Sequence, residues 1–499
     1  MRALPPAGLL LVLLLAPAAP SPGVAATPPP GPRAARTSGP NPDALDVRYR
    51  DPAERLIGAA LASDHAYLRL SQLCDGIGNR LSGSPQLDRA IAWAVGAMRE
   101  DGLERVRTLP VRVPHWVRGE EHAEMVEPGP QSLSILGFGR SVGTPPGGIT
   151  ADVVVVNSFA ELDSLPDSAI RGHIVLYDVP FVSYGAAVAY RFNGALRAAA
   201  RGARAALVRS VTPVSLRTPH TGSMRAYVDS LPKIPEAAVT IEDATMMHRL
   251  LARGMRVRVH LEMNARTLPD TMSADVLGEL RGREHPEEIV VVGGHIDSWD
   301  VGQGAQDDGG GCVIAMEALH LMKRLGLRPR RTVRCVLWTN EENGERGAVA
   351  YADSLGRKEH HVAAVESDGG VERPVGFAFT VRRAAAPDSA DDALSAAVVA
   401  RLAPIGRLLD GLGAGRLETR GGDADINPLM KLGVLGVQHK TTDEHYFDWH
   451  HSRADMLDKV DPVELRKNVA ALAVMVYVLA DLPGPLTPVS GSRRPTAHP

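Results

Sequence analysis

Cysteine is scarce: the 499 residues hold three, Cys74, Cys312 and Cys335. An odd number cannot all pair within one chain, so disulfides do not frame this fold. None has the spacing of a zinc knuckle, and Cys312 and Cys335 lie in apolar runs where a free thiol serves as a small hydrophobe. Aromatic residues make up only 4%, which leaves core packing mainly to Ala, Val and Leu. Net charge is nearly absent as well. The formal value of -3 and a pI near 6.6 provide no global field to attract nucleic acid or an acidic membrane. No apolar run reaches the ~20 residues of a spanning helix; residues 469–482 come nearest and are too short.

What is present divides the chain into blocks. At this length, two domains or one domain with a large insertion is expected. Arg2, the apolar run from Leu9 to Leu15 and Gly23-Val24-Ala25-Ala26 have the pattern of a secretory signal peptide over residues 1–26, which predicts an exported protein, secreted or periplasmic. Residues 27–43 are a Pro-rich leader. Residues 44–118 read as helical, with Asp51-Pro52 opening a helix to about residue 73 and Ser84-Pro85 opening another to about 98. Residues 119–265 change to short β-runs separated by Gly and Pro and form a domain of their own. From 266 to 483 strands and helices alternate: strands at 289–292, 332–339, 362–365 and 434–437, a helix at 312–325 ended by Gly326, and a closing helix from Pro462 to about 482 capped by Asp461 with Glu464. Residues 484–499 read as a loose tail. The predicted class is α/β: a three-layer sandwich with a mostly parallel central sheet, plus an inserted β-rich domain.

In such sheets ligands bind outside the carboxyl ends of the strands. Just past the predicted strands stand His295 with Asp297, then Asp307-Asp308 within GGHIDSWDVGQGAQDDGGG, Glu341-Glu342, Glu366-Ser367-Asp368, and finally His445, His450 and His451. One Asp past a strand is most often a turn-former or helix cap. Acidic or imidazole groups at successive strand ends are another matter, because carboxylates crowded into one cleft repel and protonate unless a cation compensates them. Imidazole mixed with carboxylate and no thiolate suits Zn²⁺ or a similar transition ion. Two histidines, two aspartates and one glutamate are too many for one open zinc and fit two ions sharing a carboxylate.

The segments GGHIDSWDVGQGAQDDGGG, NEENGERG at 340–347, ESDGG at 366–370 and HHSRADMLDKVD at 450–461 together resemble the M28 family of co-catalytic zinc peptidases, and within it the carboxypeptidase Q branch. The likeness spans nearly all of residues 45–482. It implies a zinc exopeptidase fold, with two Zn²⁺ per chain: His295, Asp307 and Asp368 on one, Asp307, Glu342 and His451 on the other, and Glu341 as general base for a metal-bridging hydroxide. It also implies a cis peptide at Asp307-Asp308, a homodimer, and short peptides or dipeptides as substrates. The middle block, through RGHIVLYD at 171–178 and IPEAAVTIEDA at 234–244, resembles a protease-associated domain that roofs the cleft.

Three further residues are candidates for supporting or substrate roles: Asp297 behind His295, His450 beside the metal ligand, and Asp425 in GDADI. Asp300 and Asp308 are not expected to touch metal. His360-His361 and the Arg-rich stretch 324–334 read as solvated turn and surface. The alternatives are an aminopeptidase of the same family acting on longer peptides, a one-zinc glutaminyl cyclase, and a receptor-like ectodomain without catalysis; the full ligand set with Glu341 argues against the last two.

Overall fold

The apolar run at residues 289–292 forms the middle of a strand whose successive side chains point to opposite faces. Val290 and Val292 enter one hydrophobic cluster, Ile289 and Val291 another. Burial on both faces is what makes the run continuous rather than alternating. A computed structural model describes residues 44–383, 388–422 and 424–487 of the chain; the expected signal peptide and leader lie outside them. Eight strands build the central sheet: β1 (Glu104–Val117), β2 (Arg266–Leu280), β3 (His285–His295), β4 (Arg331–Trp338), β5 (His360–Glu366), β6 (Pro374–Thr380), β7 (Arg416–Thr419) and β8 (Leu435–Thr441). Their order is β1-β2-β4-β3-β5-β8-β6-β7. Four of the seven neighbouring pairs are parallel, and three of those adjoin in the middle of the sheet.

Helices α1 (Leu45–Leu61), α2 (His65–Gly76), α3 (Pro85–Glu100), α4 (Gly310–Arg324), α5 (Asp388–Leu409) and α6 (Pro462–Asp481) supply the apolar layer that meets Val290 and Val292. On the opposite face the short helices Arg346–Tyr351 and Asn427–Met430 bury Tyr351, Leu429 and Met430 against Ile289, Val291 and Trp338. From β3 the chain runs through α4 to β4 on one side, then crosses to β5 on the other side of β3. Strand order therefore reverses at β3, which opens a crevice at the carboxyl ends of β3, β4 and β5.

The middle block leaves and returns at neighbouring points, for β1 and β2 pair antiparallel with Val117 opposite Arg266. Between those points, strands from Glu121–Glu127 to Arg258–Met263 make a second eight-stranded sheet with hydrophobic clusters of its own.

Several local expectations give way. Pro52 does not open a helix; it sits inside α1, and the helical stretch breaks before α2. The missing amide donor leaves the carbonyl of Arg48, an exposed residue where water can take its place. Ser84 and Asp461 do cap α3 and α6, accepting from the amides of Leu87 and Val463. Strand β1 was hidden by Pro110 and Pro114, residues that sheets admit at an edge, which is where β1 lies. The tail is anchored at its start, since Leu486 is buried and the Arg331 guanidinium donates to the Gly484 carbonyl at 2.6 Å; residues 488–499 lie outside the description. Arg331 and Arg334 are buried rather than solvated, satisfied by Glu288 and by Glu279 with Glu359. All three cysteines are buried and free.

His361 is likewise no solvated turn. It is buried on β5, with Nε2 3.0 Å from the Tyr351 hydroxyl and Nδ1 donating to the Glu359 carbonyl at 3.2 Å. Burial, reinforced by Arg334, pushes its pKa down to about 4. Unfolded, the ring would titrate near 6.5, so as pH falls below that value the unfolded chain takes up a proton that the folded chain refuses, and stability is lost. The penalty is about 2 kcal/mol at pH 5. His361→Gln should therefore lose ground to the wild type at pH 7 but recover about that amount at pH 5, read from urea midpoints; a difference independent of pH would refute this.

Candidate metal centre

Strand β3 delivers His295 to the crevice, and the glycines around it set how closely the following loop returns. A Cβ at Gly294 would strike the Asp308 carboxylate, and one at Gly311 would strike both that carboxylate and the Ser367 carbonyl. Asp308 can thus lie against the strand end, where Oδ2 accepts from the His295 amide at 3.0 Å and Oδ1 from the Gly311 amide at 3.1 Å. The Asp307-Asp308 peptide is cis. Asp300 is paired elsewhere, with Arg118 at 2.6 Å.

Two residues that spacing did not reveal hold this loop. The Asp455 carboxylate accepts from the amides of Ala305, Gln306 and Asp307 at 3.0, 2.8 and 3.2 Å. From behind, the buried Arg80 guanidinium donates to the carbonyls of Ile296, Gln303 and Gly304 at 2.6, 2.6 and 2.9 Å. Asp455 stood within a quoted motif, but nothing marked it apart from its neighbours; Arg80 carried no signal at all.

Asp307 is the centre of the arrangement. Its Oδ1 lies 3.0 Å from His295 Nε2, and its Oδ2 lies 3.2 Å from His451 Nε2 and 3.4 Å from His450 Nε2. On the first side Asp368, past β5, comes within 3.6 Å of His295 Nε2; on the second Glu342, past β4, comes within 3.1 Å of His451 Nε2. One carboxylate thus stands between two imidazole–carboxylate pairs. His295 Nδ1 donates to the carbonyl of Asp297 at 3.0 Å, which fixes the tautomer and turns the Nε2 lone pair toward Asp307 and Asp368. The Asp297 carboxylate stays 3.8 Å from that ring and instead accepts the Glu341 amide at 3.1 Å.

The remaining candidates fall around this core. His450 stacks on His451 with centroids 3.6 Å apart. Asp425 is buried, and neither of its carboxylate oxygens has a hydrogen-bond partner, while its amide donates to Glu366 at 3.1 Å. His445 is exposed and pairs with Asp448. A loop of the middle block reaches the same place: the Thr221 amide donates to the His451 carbonyl at 2.8 Å, His220 Nδ1 to the His450 carbonyl at 2.7 Å, and the Ser223 hydroxyl to the Glu342 carbonyl at 3.1 Å. These contacts pass through backbone carbonyls, so sequence spacing held no trace of them. A cavity of about 730 Å³ lies here, lined by Asp307, Glu341, Glu342, Asp368 and His451 together with Arg140, Tyr184 and Arg191.

The electrostatics are those of acids crowded beyond their compensation. Burial, with Asp307 close by, pushes Glu342 up to about 7. Burial also raises Glu341 well above the usual carboxylate range and raises Asp368. Only Asp307 goes the other way: burial opposes its charge, but His295 and His451 outweigh it. Its Oδ2 nevertheless lacks a hydrogen-bond partner although buried. An orphaned carboxylate oxygen, a carboxylate cluster short of positive charge and an imidazole–carboxylate set without sulfur fit zinc.

Comparison with known proteins decides the family. Residues 275–476 match the model of peptidase family M28. The chain is 44% identical over 438 residues to Carboxypeptidase Q of Xenopus laevis, covering 87% of this chain and 90% of that one. The chain belongs to peptidase family M28. Carboxypeptidase Q of Homo sapiens is 44% identical over 436 residues, covering 87% of this M28 peptidase and 89% of the human protein. Among solved structures, the peptidase M28 precursor of Shewanella amazonensis superposes with a TM-score of 0.83 at 31% identity, over 89% of this chain and 100% of that one. A zinc aminopeptidase of Bacillus subtilis shares the fold, with a TM-score of 0.61 at 19% identity over 84% of this M28 peptidase and 95% of its own chain.

Proposed function

We propose that this M28 peptidase is a two-zinc exopeptidase of dipeptides and short peptides, with His295, Asp307 and Asp368 around one ion and Asp307, Glu342 and His451 around the other. The observation that carries it is the Asp307 carboxylate, with one oxygen at each imidazole–carboxylate pair. Zinc held there would acidify a water and polarise the scissile carbonyl. Glu341 lines the cavity, its backbone is fixed by Asp297, and burial raises its carboxyl above the usual carboxylate range, which strengthens it as a base that can take a proton from water and return it to the leaving amine. The block over residues 119–265 serves as a protease-associated domain that closes the cavity. Export and a homodimer belong to the same proposal on the resemblance alone; among the described residues no helix is long and apolar enough to cross a membrane.

The cavity also supports a direction of attack, in keeping with relatives named Carboxypeptidase Q. Its lining includes two guanidinium groups, those of Arg140 and Arg191. Arg191 is engaged by the Thr221 carbonyl and the Tyr184 hydroxyl at 3.2 and 2.8 Å and stands 3.4 Å from His451 Nδ1, whereas Arg140 is held by the Asn343 carbonyl at 2.7 Å. Arg140 thus keeps donors for a terminal carboxylate. Free, N-acylated and C-amidated forms of one dipeptide should separate the readings. Acylation should be tolerated and amidation penalised, and Arg140→Gln should raise KM for the free dipeptide by about 10- to 100-fold while leaving the amide unchanged. Efficient cleavage of the amide with rejection of the acylated form would establish an aminopeptidase instead.

A further inference from the structure

A second cluster of metal-binding side chains lies where α2, α3 and α4 meet, outside the cradle around Asp307. Glu317 and His320 share one face of α4 at a spacing of three residues. His65 opens α2, and Asp101 follows the last residue of α3. The ligand atoms of His65, Glu317 and His320 all lie within 4.8 Å of one another. His65 Nδ1 is 2.6 Å from Glu317 Oε2, and Asp101 Oδ1 is 3.6 Å from His65 Nε2 and 3.8 Å from His320 Nδ1. The two rings stack with centroids 4.6 Å apart. His320 Nδ1 is buried and has no hydrogen-bond partner. Both carboxylate side chains are 3% exposed, while His65 is 30% and His320 20% exposed, so the two imidazoles reach solvent and the acids do not.

We propose that His65, Glu317 and His320 form a further transition-metal site, of the chemistry that takes Zn²⁺, with Asp101 behind them and water completing the shell. Two imidazoles and a carboxylate from two helices match the ligand set and number of a three-ligand zinc site. The ion would cross-link α2 to α4, the helix that begins directly after the metal loop. Arg69 binds Asp101 at 3.1 Å, which keeps that carboxylate in an outer role.

Asp307→Asn protein removes the cradle's ions and isolates this site. Stripped with a chelator and dialysed against zinc, it should retain one equivalent by elemental analysis and melt higher with zinc than without. Adding His320→Gln should abolish both the equivalent and the thermal shift. In the wild-type background H320Q should lose one equivalent and keep full dipeptide cleavage; His65→Gln provides the same comparison if H320Q folds poorly. Equal zinc content with and without His320 overturns the site. Because its measure is metal content in an inactive background, its failure leaves the catalytic cradle untouched, and failure of the cradle would appear instead as an Asp307→Asn protein with unchanged metal.

Discussion

Glu341→Gln should cut kcat by about 10³ while metal content and KM stay near those of the wild type. The substitution keeps the side chain's size and the hydrogen bond that the backbone amide of residue 341 donates to the Asp297 carboxylate at 3.1 Å, so the geometry on which Glu342 depends survives. What disappears is a group able to accept a proton and give it back. Burial raises the Glu341 carboxyl well above its ordinary range, and its neighbours Asp368, Glu342 and Asp307 push the same way. A kcat within a few-fold of wild type would remove Glu341 from the chemistry.

The larger effect belongs to Asp307→Asn. Its two oxygens face His295 and His451 at 3.0 and 3.2 Å, so a single substitution touches both halves of the cradle. An amide cannot supply a negative charge to two ions, and its nitrogen would point a donor where an acceptor is required. Both cradle equivalents of zinc should be lost and activity should fall by at least ~10⁴, the scale expected when metal activation of water is removed. Folding should persist, because the loop around Asp307 is held by Asp455 and Arg80 rather than by its own side chain. Elemental analysis beside a thermal melt separates the outcomes: metal retained would mean that Asp307 is not shared, and a chain that no longer melts cooperatively would mean that it is structural.

The difference between what the sequence disclosed and what it hid follows from the range of the interactions. Caps at Ser84 and Asp461 act within one helical turn, so their residue types announce them. The run at 289–292 disclosed a strand buried on both faces, and the acids past each strand end disclosed where the crevice would be. Pro52 lies inside α1 because proline's preference for a first turn is not a boundary, and the prolines of β1 are tolerated only by virtue of its edge position, a property of the assembled sheet. Asp297 is the subtler case. Its place two residues beyond His295 suggested a carboxylate-to-imidazole contact, yet the ring takes the backbone carbonyl and the carboxylate secures Glu341. Arg80, Asp455, His220 and Thr221 act on main-chain groups far away in the chain, and such contacts impose no spacing that a linear pattern could carry.

The hydrogen bonds from His220, Thr221 and Ser223 to the carbonyls of His450, His451 and Glu342 bear on how this enzyme could be miniaturised. Because β1 and β2 already lie side by side at Val117 and Arg266, excising the intervening block and closing the gap with a short turn looks geometrically simple. The shortened chain would retain every predicted zinc ligand but lose the partners of three carbonyls that seat two of them. Any transplant of this block, or exchange for another, has to carry those three donors along with its outline.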